Sequence, residues 1–352
     1  MLHALAGVHH VDTLTLDAWS PRDTNAFYGT AIPETITQHV ASLPWAWLGT
    51  LPEHRGARLR MCAVLREARR LADRFDLSIS ADNYAPFAKP GIQYVHFPAD
   101  LDPQPTRLAP IVHVYFRFCD RVLQGSWRDA ANNITLANSQ WTANGLIELG
   151  EMAAPILLYP PVIDPGEGLP WDQRDDVFLS IGRFHGSKKI ETAMAIVERV
   201  RARIMPHARL LIIGSPVDPE YSARIHRLAE ETGRWIEFRE DLSRAELNAL
   251  MGRCRYGLQA MEFEHFGMAT AEMTRAGCLV FAHRSGGSPE VLNNEDALLW
   301  SDPEEVPAKV EHLDVEGLRA RLRVHARTFS TGRFVERFRE IVATSAAGTR
   351  DR

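Results

Sequence analysis

The chain has 352 residues, of which 45% are hydrophobic and 24% charged, a composition that points to roughly two soluble globular domains. Its formal net charge of −5 gives no support to general nucleic-acid binding. The cysteines Cys62, Cys119, Cys254 and Cys278 form no C-x-x-C pair, so neither a zinc site nor a thioredoxin-type motif is indicated, and scattered single thiols suit a reducing cytoplasm.

The N-terminus, "MLHALAGVHH", lacks the basic start and long apolar core of a secretory signal, and no apolar run approaches the ~20 residues that span a bilayer. Short apolar runs alternate with amphipathic segments, the pattern of an α/β protein with parallel sheets. In the first half, strands are expected at "HVDTLTL" near residue 10, "DLSISAD" from Asp76, "IQYVHF" from Ile92, "ITLAN" from Ile134 and "PILLY" from Pro155. The "NIT" at Asn133 is a chance sequon in a chain with no export signal. Between the first two strands, Arg58 to Phe75 reads as a helix: Met61, Leu65, Ala68, Ala72 and Phe75 recur at helical spacing as its apolar face. Arg58, Arg66, Arg69, Arg70 and Arg74 occupy the other side.

The Pro- and Gly-rich stretch "YPPVIDPGEGLPWDQRDD", 159–176, has no period and marks a domain boundary. Beyond it the α/β pattern restarts, with strands expected at 177–182, 209–214, 235–240, 256–261, 278–283 and 297–300, and helices such as 189–203 and 218–231. The last 35 residues read as two helices separated near "STG". The resulting domains are 1–160, a linker 161–175, a second domain 176–328, and a terminal helix 329–352 that packs back toward the first. One part is missing from the pattern. An open parallel sheet of this kind normally starts with its central strand and a Gly-rich turn. Here "MLHALAG", which looks like the end of a helix, leads straight into "HVDTLTL", so the first domain is expected to lack its first strand.

Four segments carry chemistry. In "SIGRFHGSKK", a strand ends at Gly182, and Arg183 and Lys188 follow at its carboxyl end, where two cations can neutralise a diphosphate; the alternative is a solvated basic loop. In "EFEHFGMATAE", Gly267 allows close backbone approach, and a helix beginning near Phe266 points free N–H groups at a phosphate. Glu264 lies just ahead of that helix and Glu272 eight residues further on, a spacing that alone fits equally a capping acid and a solvated one. "HRSGGSPEVL" reads as a strand end, a Gly-Gly turn and a helix starting near Ser288-Pro289, either a plain β–α turn or a ligand-lining loop. Finally, His96 ends the strand in "YVHFP"; lone histidines are more often structural than functional. No P-loop and no G-x-S-x-G occurs, and no clear D-x-D is found between strands, which disfavours a P-loop NTPase, a metal-held diphosphate and an α/β-hydrolase.

These segments, in this order, resemble the retaining GT-B glycosyltransferases of glycosyltransferase family 4, most specifically over 176–300 through "GRF…K", "EHFGMATAE" and "AGCLVFAHRSGG". "E-H-F-G", "YVHFP", "NSQWTA" (138–143) and "LYPPV" (158–162) are closest to the GDP-mannose-dependent α-1,2-mannosyltransferase branch. The resemblance implies two doubly wound Rossmann-like domains facing a central cleft. It implies that Gly182, Arg183 and Lys188 hold the donor diphosphate and that Glu264 contacts the hexose. Phe266, Gly267 and Met268 would cradle sugar and phosphate through their backbone, Glu272 would bind ribose, and His96 would sit at the sugar's reactive side. Such enzymes use no metal for chemistry and no cofactor beyond the nucleotide-sugar donor, and they retain anomeric configuration.

The expected activity is therefore transfer of a hexose, foremost mannose from GDP-mannose, to a glycan or lipid-linked acceptor. A UDP-sugar is the alternative donor. A catalytically silent nucleotide-binding scaffold is a second reading, motivated by the missing strand, and a sugar-nucleotide epimerase a third. The expected setting is the cytoplasm or, peripherally, the inner face of a membrane, with helix 58–74 as the candidate contact and a solvated helix face as its plain alternative. Segment 238–247, "FREDLSRAEL", is expected near the base.

Overall fold

The computed structural model describes residues 1–43, 56–99, 109–150, 152–166 and 168–350. Among them the strands are β1 (Asp12–Thr15), β2 (Thr37–Val40), β3 (Ile79–Ser80), β4 (Ile92–Val95), β5 (Ile134–Ala137) and β6 (Ile156–Leu157), followed by β7 (Asp175–Ile181), β8 (Arg209–Gly214), β9 (Ile236–Glu240), β10 (Cys254–Gln259), β11 (Leu279–His283) and β12 (Leu299–Trp300). The α-helices are α1 (Leu2–Leu5), α2 (Pro21–Tyr28), α3 (Ala57–Leu71), α4 (Ala109–Leu123), α5 (Gln140–Leu149), α6 (Ile190–Arg203) and α7 (Pro219–Thr232), then α8 (Arg244–Arg253), α9 (Met268–Arg275), α10 (Ser288–Val291), α11 (Glu305–Glu311), α12 (Val315–His325) and α13 (Thr331–Arg350). The chain divides into two compact units: Met1–Tyr159 with Gly332–Arg352, and Pro160–Thr331.

In the second unit every strand pairing is parallel, in the order β12-β11-β10-β7-β8-β9. Helices cover both faces of such a sheet, so its strands are continuous apolar runs rather than alternating ones. Leu210, Ile212 and Ile213 of β8 and Leu279 to Ala282 of β11 are accordingly buried with Phe178, Ile196 and Met273 in one core. The chain runs outward from β7 through β8 to β9, then returns to lay β10 on the other side of β7. The order therefore reverses between β7 and β10, and the carboxyl ends of those two strands flank the crevice in which open parallel sheets bind ligands.

The first unit is also parallel, but its sheet comes in two pieces: β3-β4-β5-β6 and, separately, β1-β2. "MLHALAG" does contain a short helix, α1, and the next strand, β1, has only β2 as a neighbour among the described residues. Ala4 and Leu5 of α1 pack with Ile92, Tyr94, Leu136 and Leu158 of the four-stranded piece and with Phe334, Phe338, Ile341 and Val342 of α13. Burial pushes the Tyr94 phenol far above its usual range, and it stays protonated to donate to the Leu158 carbonyl at 2.8 Å. Asn133, the sequon residue, is a buried core amide: it donates to the Ala85 carbonyl at 2.7 Å and accepts from the Gly91 N–H at 2.9 Å.

Helix α3 is where the pattern misleads. Its buried face is Leu59, Cys62, Ala63 and Leu65, while Met61 and Ala68 are only partly covered. The stripe is rotated because two of the five arginines face protein. The Arg58 guanidinium lies 4.0 Å from the centroid of the Phe116 ring and 4.4 Å from that of Trp127. Arg69 donates to the carbonyls of Pro86 and Phe87 and pairs with Asp129 at 2.9 Å. A basic outer face on this helix is thereby reduced to Arg66, Arg70 and Arg74, with Arg70 paired to Glu67 on its own helix. No helix among the described residues is long and apolar enough to cross a membrane.

Candidate functional site

The loops after β7 and β10 meet through their side chains. Lys188, in the short 3₁₀ turn Gly186–Lys188 after β7, bonds Glu264 Oε2 at 2.6 Å. Gly182 matters to this reach, because a Cβ there would lie 3.3 Å from Lys188 Cδ and Cε. The Lys188 and Glu264 side chains are 20% and 15% exposed, so the pair is largely desolvated, and removing either partner would leave the other's charge uncompensated. The Gln259 side-chain amide, buried at the end of β10, approaches the same oxygen at 3.5 Å. The other carboxylate oxygen of Glu264 has no partner among the described residues.

Arg183 behaves differently from Lys188. It is exposed and makes no hydrogen bond or ion pair among the described residues, so one cation of the proposed diphosphate clamp is engaged and the other is free. Lys189, next to Lys188, sits in the left-handed region at φ +48° and turns its side chain to Glu262 instead. That hydrogen bond holds the Glu262 carboxyl below its usual range.

The Gly-Gly turn has a structural task. Gly286 is at φ +81°, and a Cβ on it would lie 2.3 Å from the Glu264 carbonyl oxygen; one on Gly287 would lie 2.3 Å from that of His265. The space is taken by main chain: the Gly287 N–H donates to the Glu264 carbonyl at 2.6 Å, and residues 264 and 286 form a parallel bridge. Two glycines are needed because two backbones touch. Glu264 is thus fixed twice, by its side chain to the β7 loop and by its main chain to the β11 loop.

Helix α9 starts at Met268, two residues later than the sequence pattern puts it, with Gly267 as N-cap at φ +98° and no side-chain cap. Its first N–H groups have no intrahelical acceptor, and a glycine cap supplies none. Two hydroxyls beside this start, Thr270 Oγ1 and Ser288 Oγ, are fully buried without a hydrogen-bond partner, and a Cβ on Gly267 would come within 3.0 Å of the latter. The N–H groups left open at this helix start, rather than the two sealed hydroxyls, are what an oxygen-rich ligand would satisfy. Phe266 contributes only backbone here, since its ring is buried 5.5 Å from that of Phe329, whereas Met268 is 40% exposed. Glu272 is buried in the second turn of α9 and pairs with Arg244 at 2.8 Å.

His96 follows β4 in the first unit and is held on several sides. Its N–H donates to Asn83 Oδ1 at 2.8 Å, and its carbonyl accepts from Asn138 Nδ2 at 3.0 Å. Its Nε2 lies 2.8 Å from the Ala81 carbonyl, an acceptor-only group, so Nε2 carries the proton. Nδ1 is left as an acceptor with no partner among the described residues. The "NSQWTA" segment builds this seat: Asn138 grips His96, and Ser139 caps α5 by accepting from the Thr142 N–H.

Sequence reasoning overlooked Gln259, Arg244 and the Lys189–Glu262 pair. Arg244 had a local signal, because Ser243 and Glu246 form a capping box that fixes α8 to start at Arg244. Gln259 had none beyond being polar at the end of an apolar strand.

The two parallel α/β units have the GT-B fold. Residues 167–315 match the family model described as "Glycosyl transferases group 1", and that segment is a glycosyltransferase group 1 domain. Among curated relatives, the Xenopus laevis and Homo sapiens proteins named "GDP-Man:Man(3)GlcNAc(2)-PP-Dol alpha-1,2-mannosyltransferase" are 27% and 25% identical over 176 and 173 residues, covering 46% and 45% of this chain. The matched part is only 36% and 35% of those relatives' own length. Among solved structures, the sucrose-phosphate synthase of Thermosynechococcus elongatus superposes with a TM-score of 0.71 at 17% identity, covering 99% of this chain and 92% of the other. Anabaena HepE, solved with UDP and glucose, gives 0.65 at 15% identity, with 95% and 100% covered. At such identities the likeness concerns the fold.

Proposed function

We propose that the protein is a retaining glycosyltransferase that moves mannose from GDP-mannose to a glycan or lipid-linked acceptor without a catalytic metal. The observation that carries this reading is the Lys188–Glu264 pair, 2.6 Å apart at the switch point of a group 1 domain. In it, Glu264 uses its open oxygen to accept from a hexose hydroxyl. The start of α9 binds donor phosphate through the N–H groups that Gly267 leaves free. Arg183 and Lys188 stabilise the diphosphate as leaving-group charge grows in the transition state. Glu272 receives the ribose hydroxyls, and His96 is assigned to the sugar's reactive side. GDP-mannose is favoured because the curated relatives carry it in their names; a UDP-sugar is the alternative, since Anabaena HepE was solved with UDP and glucose.

The test is transfer of labelled mannose from GDP-mannose to a lipid-linked glycan, alongside thermal shifts with GDP, UDP and ADP. Stabilisation by UDP alone would remove the mannose assignment. Lys188→Ala strips the counter-charge from Glu264 and should lower kcat/KM by about 10–100-fold, the equivalent of a charge-assisted hydrogen bond of about 1.5–3 kcal/mol. Unchanged kcat/KM in that variant would reject the site as described. A nucleotide-binding unit without transfer is the second reading, favoured by the divided sheet of the first unit. GDP binding with no transfer or donor hydrolysis under any acceptor would select it.

A further inference from the structure

The Arg244–Glu272 pair has a feature that helix stability does not explain. Arg244 is the first residue of α8, where the helix dipole is positive and an acid, not a cation, is favoured. Its guanidinium instead reaches α9 and donates to Glu272 Oε1 at 2.8 Å. Both side chains are mostly covered, at 22% and 11% exposed. The platform under Arg244 is firm: Ser243 Oγ accepts from the Glu246 N–H at 3.3 Å, while Glu246 Oε2 accepts from the Ser243 N–H at 2.8 Å. Glu272 Oε2 has no partner among the described residues.

A carboxylate held by one oxygen, with the other open, is suited to accept from a vicinal diol. An unheld glutamate would lose its rotamer freedom on binding, whereas a clamped one has already lost it. The guanidinium also balances a negative charge that would otherwise oppose a nearby diphosphate. The second helix of this arrangement begins in segment 238–247, which is expected beside the base, so one residue links that segment to the acid assigned to the ribose.

We infer that Arg244 is a positioning residue that holds Glu272 by Oε1 and presents Oε2 to the 2′,3′-diol of a nucleoside diphosphate. This rests on the reading of Glu272 given above.

The experiment is calorimetric titration of the full chain with GDP and with 2′,3′-dideoxy-GDP, with donor KM and kcat measured in parallel. Wild type should prefer GDP by about tenfold or more, a difference equivalent to about 1.4 kcal/mol per factor of ten. Arg244→Ala should weaken GDP by about the same factor, leave the dideoxy nucleotide nearly unchanged, raise donor KM and keep kcat within twofold. Arg244→Lys should restore part of the preference, and it reports the same ratio if the alanine variant fails to fold. A preference as large as that of wild type in Arg244→Ala, or, where the alanine variant does not fold, one undiminished from wild type in Arg244→Lys, overturns the inference and leaves the proposed function standing. A wild type that binds both nucleotides equally overturns the ribose role and the inference together. A wild type that binds neither overturns the nucleotide-sugar reading itself.

Discussion

Among the described residues, six strands of the second unit make one parallel sheet, whereas six strands of the first divide into a pair and a quartet. The difference lies in how many neighbours fix each functional loop. Strands β7 and β10 each have a partner on both sides, so the loops carrying Lys188 and Glu264 leave from positions that neighbours determine twice over. Strand β4, which delivers His96, is likewise flanked by β3 and β5. Among the described residues, strands β1 and β2 pair only with each other, and they carry no assigned site residue. The assigned site residues leave strands with ladders on both sides, and a two-stranded pair has fewer ladder hydrogen bonds among the described residues.

The largest expected effect tests whether the units hold themselves separately. Phe338 is fully buried in the first unit's core beside Phe334, so Phe338→Ala should cost that unit about 3–5 kcal/mol. Followed by denaturant unfolding and GDP titration, it should lower the midpoint of one transition and leave nucleotide affinity within twofold. Loss of GDP binding in proportion to the lost stability would break the comparison.

A second pair of variants sets glycines from the two units side by side. Gly286→Ala places a methyl group against the Glu264 backbone in a left-handed conformation, and should cost about 3 kcal/mol with loss of nucleotide-dependent thermal shift. Gly150, which ends α5 at φ +67°, has nothing within 4 Å of a built Cβ, so Gly150→Ala should cost only about 1 kcal/mol from the backbone alone. Equal losses would mean that the contact with Glu264 is not what makes Gly286 necessary.

The smallest effect is a titration. Cys62 and Cys119 lie buried together between α3 and α4. A hydrogen bond from Cys62, helped by Tyr115 and the Arg58 charge and opposed by burial, lowers the Cys119 thiol to about 7. Cys62, by the same bond and by burial, is pushed the other way and keeps its proton. Thiolate absorbance should therefore rise near neutral pH, and Cys62→Ala should move that rise upward. A single rise only above pH 9 in wild type would reject the hydrogen bond.

How much of this could be read in advance depends on the range of the interaction. The strands of the second unit were legible because burial on both faces makes "VFLSIG", "RLLIIG" and "CLVFAH" continuous apolar runs. The position of the Gly-Gly turn was legible too, but its reason was not: the atoms that exclude a Cβ belong to Glu264 and His265, about twenty residues away in sequence. Helix α3 was assigned to the right segment with its face rotated, because periodicity counts Arg58 and Arg69 as solvent-facing when ring faces and carbonyls hold them. In the site, the sequence shows Lys188 and Glu264 as separate candidates, and their pairing depends on the strand order that sets β7 beside β10. Arg244 was hidden because its partner is on another helix.

The seam between Glu264 and the glycine turn bears on how such a protein can diversify. The Gly287 N–H bond to the Glu264 carbonyl and the Phe263 N–H bond to Ser285 Oγ set the path of the chain around Glu264, so the side chain of Met268, 40% exposed, is open to replacement without disturbing the acid. The rim of this loop can therefore vary over evolutionary time, while the Gly286–Gly287 step stays closed to variation.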